Sequence, residues 1–185
     1  KKGLLLIMSG PSGVGKGTIR ELLMEDKSLN LFYSVSMTTR NMRPGEVNGR
    51  EYYFVSRDEF MKNVDKDNFL EWAEYVGNCY GTPRDKVEDM RKDGKNVLLE
   101  IDVKGCTNVL AKAKDAISIF IAPPSIEELA NRLRGRGTES EEVIANRTKT
   151  AIKELEYQKN YEYVVINDKL EDAVEEIRQI IKSRM

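Results

Sequence analysis

An apolar run, Leu4-Leu5-Leu6-Ile7-Met8, leads almost directly into Gly10-Pro11-Ser12-Gly13-Val14-Gly15-Lys16-Gly17-Thr18, after which Ile19, Leu22 and Leu23 recur at helical spacing. A strand buried on both faces, a glycine-rich turn and an immediate helix together specify one βα unit of a parallel sheet. The glycines let the backbone curl so that several N–H groups point inward. The helix N-terminus adds partial positive charge, and the whole forms a cradle for phosphate. Lys16 stands where it can reach the β- and γ-phosphates of a nucleotide. The next residue is Gly17, where Ser or Thr usually supplies a hydroxyl to Mg²⁺. Thr18 follows one place later, and the spacing leaves open whether it touches the metal or only a phosphate.

Composition narrows the chemistry. The 185 residues suit one domain with a sizeable core. There is no histidine, so no His-based triad or zinc site is possible, and acid–base or electrostatic work falls to Lys, Arg, Asp and Glu. The two cysteines, Cys79 and Cys106, form no metal-ligand or CxxC pattern and read as reduced thiols of a cytoplasmic protein. A net charge of −1 argues against broad nucleic-acid binding. No apolar run is long enough to span a membrane, and no signal-peptide pattern is present.

Three further apolar runs, Asn96–Ile101, Ile117–Ile121 and Tyr163–Ile166, read as buried strands separated by helical patterns, which makes a parallel α/β sheet. Ser125 with Glu128 forms a capping box opening a helix through about Leu133. Thr138 with Glu141 forms another, leading a long helix toward Lys159. Leu170, Ala173, Val174, Ile177 and Ile181 mark a closing amphipathic helix. The pattern changes between Ser34 and about Arg84. Tyr33–Ser36 and Glu51–Val55 are aromatic and β-branched, with turn signals at Arg43-Pro44-Gly45-Glu46 and Asn48-Gly49, and Ser56 with Glu59 caps a short helix. This reads as a small β-rich insertion. A second insertion, about Gly135 to Arg147, is polar and arginine-bearing, and two insertions around a phosphate loop point to parts that close over two substrates.

A second constellation lies in the β-rich insertion. Arg40 and Arg43 share a loop with Ser36, Thr38 and Thr39, and Tyr52, Glu71, Tyr80 and Thr82 follow. Arginine forks and tyrosine hydroxyls suit a monophosphate. The Glu71 carboxylate offers only acceptors, and guanine presents two adjacent donors, N1–H and its N2 amino group. Adenine would set a lone pair against that carboxylate, so such a site discriminates. Ser36 or Thr82 can serve guanine O6. Taken singly, these are also ordinary core tyrosines and surface charges; the phosphate loop is what favours a site.

Read in order, these stretches resemble the guanylate kinase family over nearly the whole chain. They are Ser9–Lys16, Ser34–Arg40, Arg43–Gly49, Tyr52–Val55, Phe69–Ala73, Tyr80-Gly81-Thr82, Glu100-Ile101-Asp102, Ile121–Ser125, Arg134–Glu139 and Asn167-Asp168. The resemblance implies a P-loop α/β core (residues 1–33, 85–134 and 148–185), a GMP-binding subdomain (34–84) and a mobile lid (135–147). It implies transfer of a phosphoryl group from ATP to GMP or dGMP with Mg²⁺. It assigns Ser36, Arg40, Arg43, Tyr52, Glu71, Tyr80, Gly81, Thr82 and Asp102 to GMP, the loop and Asn167 to ATP, and Lys16, Arg132, Arg136 and Arg147 to the transferring group. Gly17 and Glu100 depart from relatives that carry a hydroxyl residue and Asp there.

Arg132 and Arg136 are four apart, so a continuing helix would align them, whereas a break at Gly135 would leave Arg136 in the lid. Surface pairing with Glu139, Glu141 or Glu142 is the alternative for Arg147. Glu100 and Asp102 are two apart on the expected strand, hence on one face at its C-terminal end, where open α/β sheets place ligands. Meeting the guanine amino side or orienting an arginine are the roles open to Asp102, and acting through water on the metal is one open to Glu100; the sequence does not separate them. Two rivals follow from the same residues. One is a kinase of another phosphorylated acceptor, and the other is an inactive module that binds partner proteins. The retained Lys16, glycines and arginines favour the enzyme.

Overall fold

The computed structural model describes residues 1–135, 137 and 139–185. Its frame is a five-stranded, all-parallel sheet in the order β2-β7-β1-β8-β9. β1 (Leu5–Ser9) is the central strand, between β7 (Asn96–Glu100) and β8 (Ile117–Ala122). β9 (Tyr163–Ile166) forms one edge and β2 (Leu31–Tyr33) the other. All five β1 side chains are buried, as a strand covered on both faces requires. Leu6 and Met8 face α1 (Lys16–Glu25), α5 (Ile126–Gly135), α6 (Glu141–Leu155) and α7 (Leu170–Arg184). On that side they pack with Ile19, Leu129, Ala151 and Ile177. Leu5 and Ile7 face the opposite way, toward Val87 of α3 (Arg84–Lys92) and Val109 of α4 (Val103–Lys112). The period-two alternation of the strand thus divides one apolar run between two cores.

The segment between β2 and α3 folds as a second sheet, ordered β4-β3-β6-β5. β3 (Ser36–Thr38) runs parallel to β4 (Tyr52–Phe54) and antiparallel to β6 (Asn78–Pro83), which pairs with β5 (Phe69–Tyr75). Its own core is Met37, Phe60, Phe69 and Cys79, with the Phe60 ring of α2 (Arg57–Asp65) stacked on Phe69 at 4.5 Å. The aromatic run that begins at Tyr33 is therefore split, Tyr33 closing the core sheet and Ser36 opening the second.

Two N-caps form where the sequence places them, without the reciprocal glutamate bond of a full capping box. Ser56 accepts from the Glu59 N–H and Ser125 from the Glu128 N–H. The cap of α6 is Ser140, which accepts from the Val143 N–H; Thr138, expected to cap that helix, lies outside the described residues. Its last turn tightens into a 3-10 turn over Glu156–Asn160. Gly135 does not break α5 but is its last residue.

Candidate active site

The glycine loop wraps the C-terminal end of β1. Gly13 and Gly15 adopt left-handed φ values of 87° and 100°, which only glycine takes at little cost. At Gly15 a Cβ would also lie 2.7 Å from Nδ2 of Asn167. That asparagine, expected near the adenine of ATP, is buried behind the loop. Its Nδ2 donates to the Val14 carbonyl at 2.8 Å, its N–H donates to the Ala122 carbonyl, and its own carbonyl accepts from Arg132. Asn167 braces the loop from β9 rather than walling the cavity. Val14, read with the phosphate-binding residues, is fully buried, and its side chain anchors the loop in the core.

The loop opens into a cavity of about 550 Å³, lined by loop residues from Gly10 to Thr18 other than Val14, and by Glu100, Ile101, Asp102 and Glu154. The Lys16 ammonium donates to the Gly10 carbonyl. Burial lowers its pKa, and Glu100, Glu154 and Asp102 oppose that shift. Thr18 is exposed on this wall. A Cβ at Gly17 would meet nothing within 4 Å, so no neighbour's volume dictates that glycine.

A second cavity, of about 780 Å³, lies between the two sheets. Ser36, Tyr52, Glu71, Tyr80 and Asp102 come together on its wall. Glu71 Oε1 accepts from the Thr82 hydroxyl at 2.8 Å. Burial pushes the Glu71 carboxyl up, the Thr82 bond draws it back, and the Asp102 charge adds to the rise. Thr82 itself is buried and off the wall; its hydroxyl, expected on guanine O6, is spent on Glu71. Gly81 is likewise buried, and a Cβ there would come within 2.7 Å of the Phe69 ring. Packing beneath the sheet is what requires that glycine.

Arg40 and Arg43 do not line this cavity. Both guanidinium Nη atoms of Arg40 meet Glu46, at 3.0 and 2.8 Å, and the Arg43 N–H donates to the same carboxylate at 2.7 Å. These bonds, the Arg40 side chain first, hold the Glu46 carboxyl down at about 2. The Arg40 guanidinium also lies 5.1 Å from the centre of the Tyr52 ring, which reaches the cavity.

Glu100 and Asp102 border both cavities, but not as two residues of one strand. β7 ends at Glu100, and Asp102 caps α4, its carboxylate accepting from the Gly105 N–H at 2.7 Å. Helix capping thus engages one oxygen of an aspartate that also lines both cavities. Glu100 accepts from Arg20 at 2.8 Å. Of the expected transfer arginines, Arg132 pairs with Glu128 and Arg147 with Glu139 at 3.0 Å, the surface pairing weighed as its alternative. Arg136 lies outside the described residues. Motif reading missed Arg20, Tyr33, Glu46 and Glu154. Arg20 stands one helical turn after Lys16 and Glu154 two turns after Arg147, spacings that carry a signal only once the helices are placed.

A phosphate loop beside a second, carboxylate-bearing cavity at the ends of a parallel sheet defines a P-loop α/β protein of the kind that handles nucleotides. A family model described as guanylate kinase matches residues 2–184. The chain is 50% identical over 182 residues to a guanylate kinase of Lactobacillus johnsonii, covering 98% of this chain and 89% of that one. It is 50% identical over 183 residues to one of Lactococcus lactis subsp. lactis, covering 99% and 89%. A crystal structure of guanylate kinase from Anaplasma phagocytophilum superposes with a TM-score of 0.74 at 36% identity, covering 99% of this chain and 86% of that one. TT1252 from Thermus thermophilus, at 15% identity and a TM-score of 0.54, covers 100% of this chain and 99% of that one, and shares the fold alone. The chain belongs to the guanylate kinase family. It is a transferase that phosphorylates GMP to GDP with ATP as donor.

Proposed function

We propose that the loop cavity takes the ATP phosphates and the cavity between the sheets takes GMP. The observation that carries this assignment is Glu71, a buried carboxylate on the second cavity's wall with one oxygen already fixed by Thr82. Ionised, it accepts from guanine N1–H and N2 together; facing adenine it would be left unpaired, which buried sites penalise heavily. On this reading residues 34–84 form the acceptor subdomain, residues 135–147 the lid, and the rest of the chain the core.

The chemistry asks for positioning and charge, with little covalent help. The loop N–H groups and Lys16 hold the donor phosphates. The attacking oxygen of the GMP phosphate is already anionic, so no general base is required. Arg40 and Arg43 orient that phosphate from a loop that Glu46 keeps in shape. Arg132 and Arg147, with Arg136, neutralise charge on the group in transit, Arg147 leaving Glu139 as the lid closes. Among the described residues no three acidic, histidine or cysteine side chains stand close enough to hold a metal ion. Thr18 and Glu100, both on the loop cavity's wall, are the residues that would help to hold the ion beside the phosphates. When bound, Mg²⁺ offsets charge on the β- and γ-oxygens.

The substrates are small molecules, ATP with GMP or dGMP, and the reaction is placed in the cytoplasm. Both cysteines are unpaired and buried, as a reducing compartment allows. No helix among the described residues is long and apolar enough to cross a membrane. ADP release measured with GMP, AMP, CMP, UMP or no acceptor tests the site assignment. Turnover with GMP alone is expected, whereas comparable turnover with AMP would remove Glu71 as the base-reading group.

A further inference from the structure

Arg20 belongs to the donor's helix and opens onto the acceptor's cavity. It stands one turn after Lys16 on α1, about 6 Å along the helix axis, yet it lines the cavity between the sheets and not the loop cavity. Three core elements fix its guanidinium. α1 carries it, Nη1 donates to Glu100 at the end of β7 at 2.8 Å, and its carbon lies 4.6 Å from the centre of the Tyr33 ring at the end of β2.

A guanidinium has five N–H donors in a planar fork suited to phosphate, and Glu100 takes one of them. The side chains of Arg20 and Glu100 are 25% and 22% exposed. The pair is thus largely sheltered yet keeps an edge on the cavity, where the donors that Glu100 leaves free can meet a ligand. The other cations bordering this cavity are placed differently. Arg50 is 64% exposed and engaged by its neighbour Glu51, and Lys104 is exposed.

Resting on the reading that this cavity takes GMP, we propose that Arg20, steered by Glu100 and Tyr33, binds the acceptor's phosphate from the donor side. One helix then supplies a cation to each of the two phosphates between which the group moves. Glu100 is a positioning residue in this arrangement. Toward the acceptor it acts through Arg20.

The test is calorimetric titration of GMP and of guanosine into the wild type, Arg20→Met, Arg20→Lys, Glu100→Gln and the Arg20→Met/Glu100→Gln double variant. Arg20→Met is expected to weaken GMP about 10-fold, the scale of losing a charge-assisted bond to phosphate, while guanosine stays within about twofold. Arg20→Lys should recover part of the loss, since it restores charge without the fork. Glu100→Gln should weaken GMP in the wild-type background and add nothing to Arg20→Met. Equal losses for GMP and guanosine, or no loss for GMP, would overturn the proposal. An added loss in the double variant would overturn the positioning role of Glu100. A wild type that bound neither ligand would remove the acceptor-cavity reading itself.

Discussion

On the proposed reading, Glu71 alone selects the base. Its carboxylate is pushed up by burial and held by Thr82, so an ionised acceptor pair is kept on the wall at the cost of desolvating it. Replacing Glu71 with Gln puts an amide donor against guanine's own donors. We expect kcat/KM for GMP to fall by roughly 10- to 100-fold, the range for losing hydrogen bonds to a charged group, with ATP affinity unchanged in titrations of the variant. The sign with pH follows from the same shift. The folded carboxyl protonates above its ordinary value of 4.5, and the protonated form offers one acceptor fewer. GMP affinity of the wild type should therefore weaken with falling pH before 4.5 is reached, and that dependence should vanish in the glutamine variant. The match proposed between Glu71 and guanine could be read from the sequence because it is a matter of donors and acceptors. The bracing role of Asn167 and the buried posts of Val14 and Thr82 were not, since a motif records which residues are present and not which way they face.

At the scale of elements, the loop between β3 and β4 is organised by a carboxylate that no motif singled out. Glu46 joins the Arg40 fork to the Arg43 N–H, and its carboxyl sits at about 2. A lowered carboxyl adds stability that is complete above its unfolded value and disappears as pH falls toward the folded one. The second sheet should thus keep its order down to about pH 4.5 and loosen between there and about pH 2. Emission from Trp72, the single tryptophan, which meets the Phe60 ring at 5.9 Å, reports on that sheet. In Glu46→Gln the acid-dependent change in this window should flatten, and an unaltered titration would show the clamp to be idle. Helix starts were legible because caps act between near neighbours in the chain, as at Ser56 and Ser125. The boundary at Tyr33 and the capping role of Asp102 were hidden, because strand pairing and the end of β7 are decided by residues far away in sequence.

Taken as a whole, the molecule sets two cavities across the ends of one parallel sheet, with Glu100 and Asp102 on their shared border. On the proposed reading the arginines of α5 and α6 approach that border for transfer, and Arg147 gives up its pairing with Glu139 to do so. Solution scattering should show the radius of gyration falling when GMP and a non-hydrolysable ATP analogue are both present, and changing less with either alone. An unchanged radius with both bound would count against closure. The parallel order of strands was legible from the alternation of apolar runs and helices, whereas its permutation depends on contacts between distant segments. That permutation also bears on biosynthesis. Leu6 of β1 pairs with Leu98 on one side and Ile117 on the other. At ~5–20 residues per second, the chain from Leu6 to Ile117 takes roughly 6–22 s to leave the ribosome. The first strand spends that interval without both neighbours, while every strand of the second sheet, from Ser36 to Pro83, has already emerged. Translation therefore completes the second sheet before the core sheet, and the glycine loop waits at the end of a strand that still lacks a neighbour.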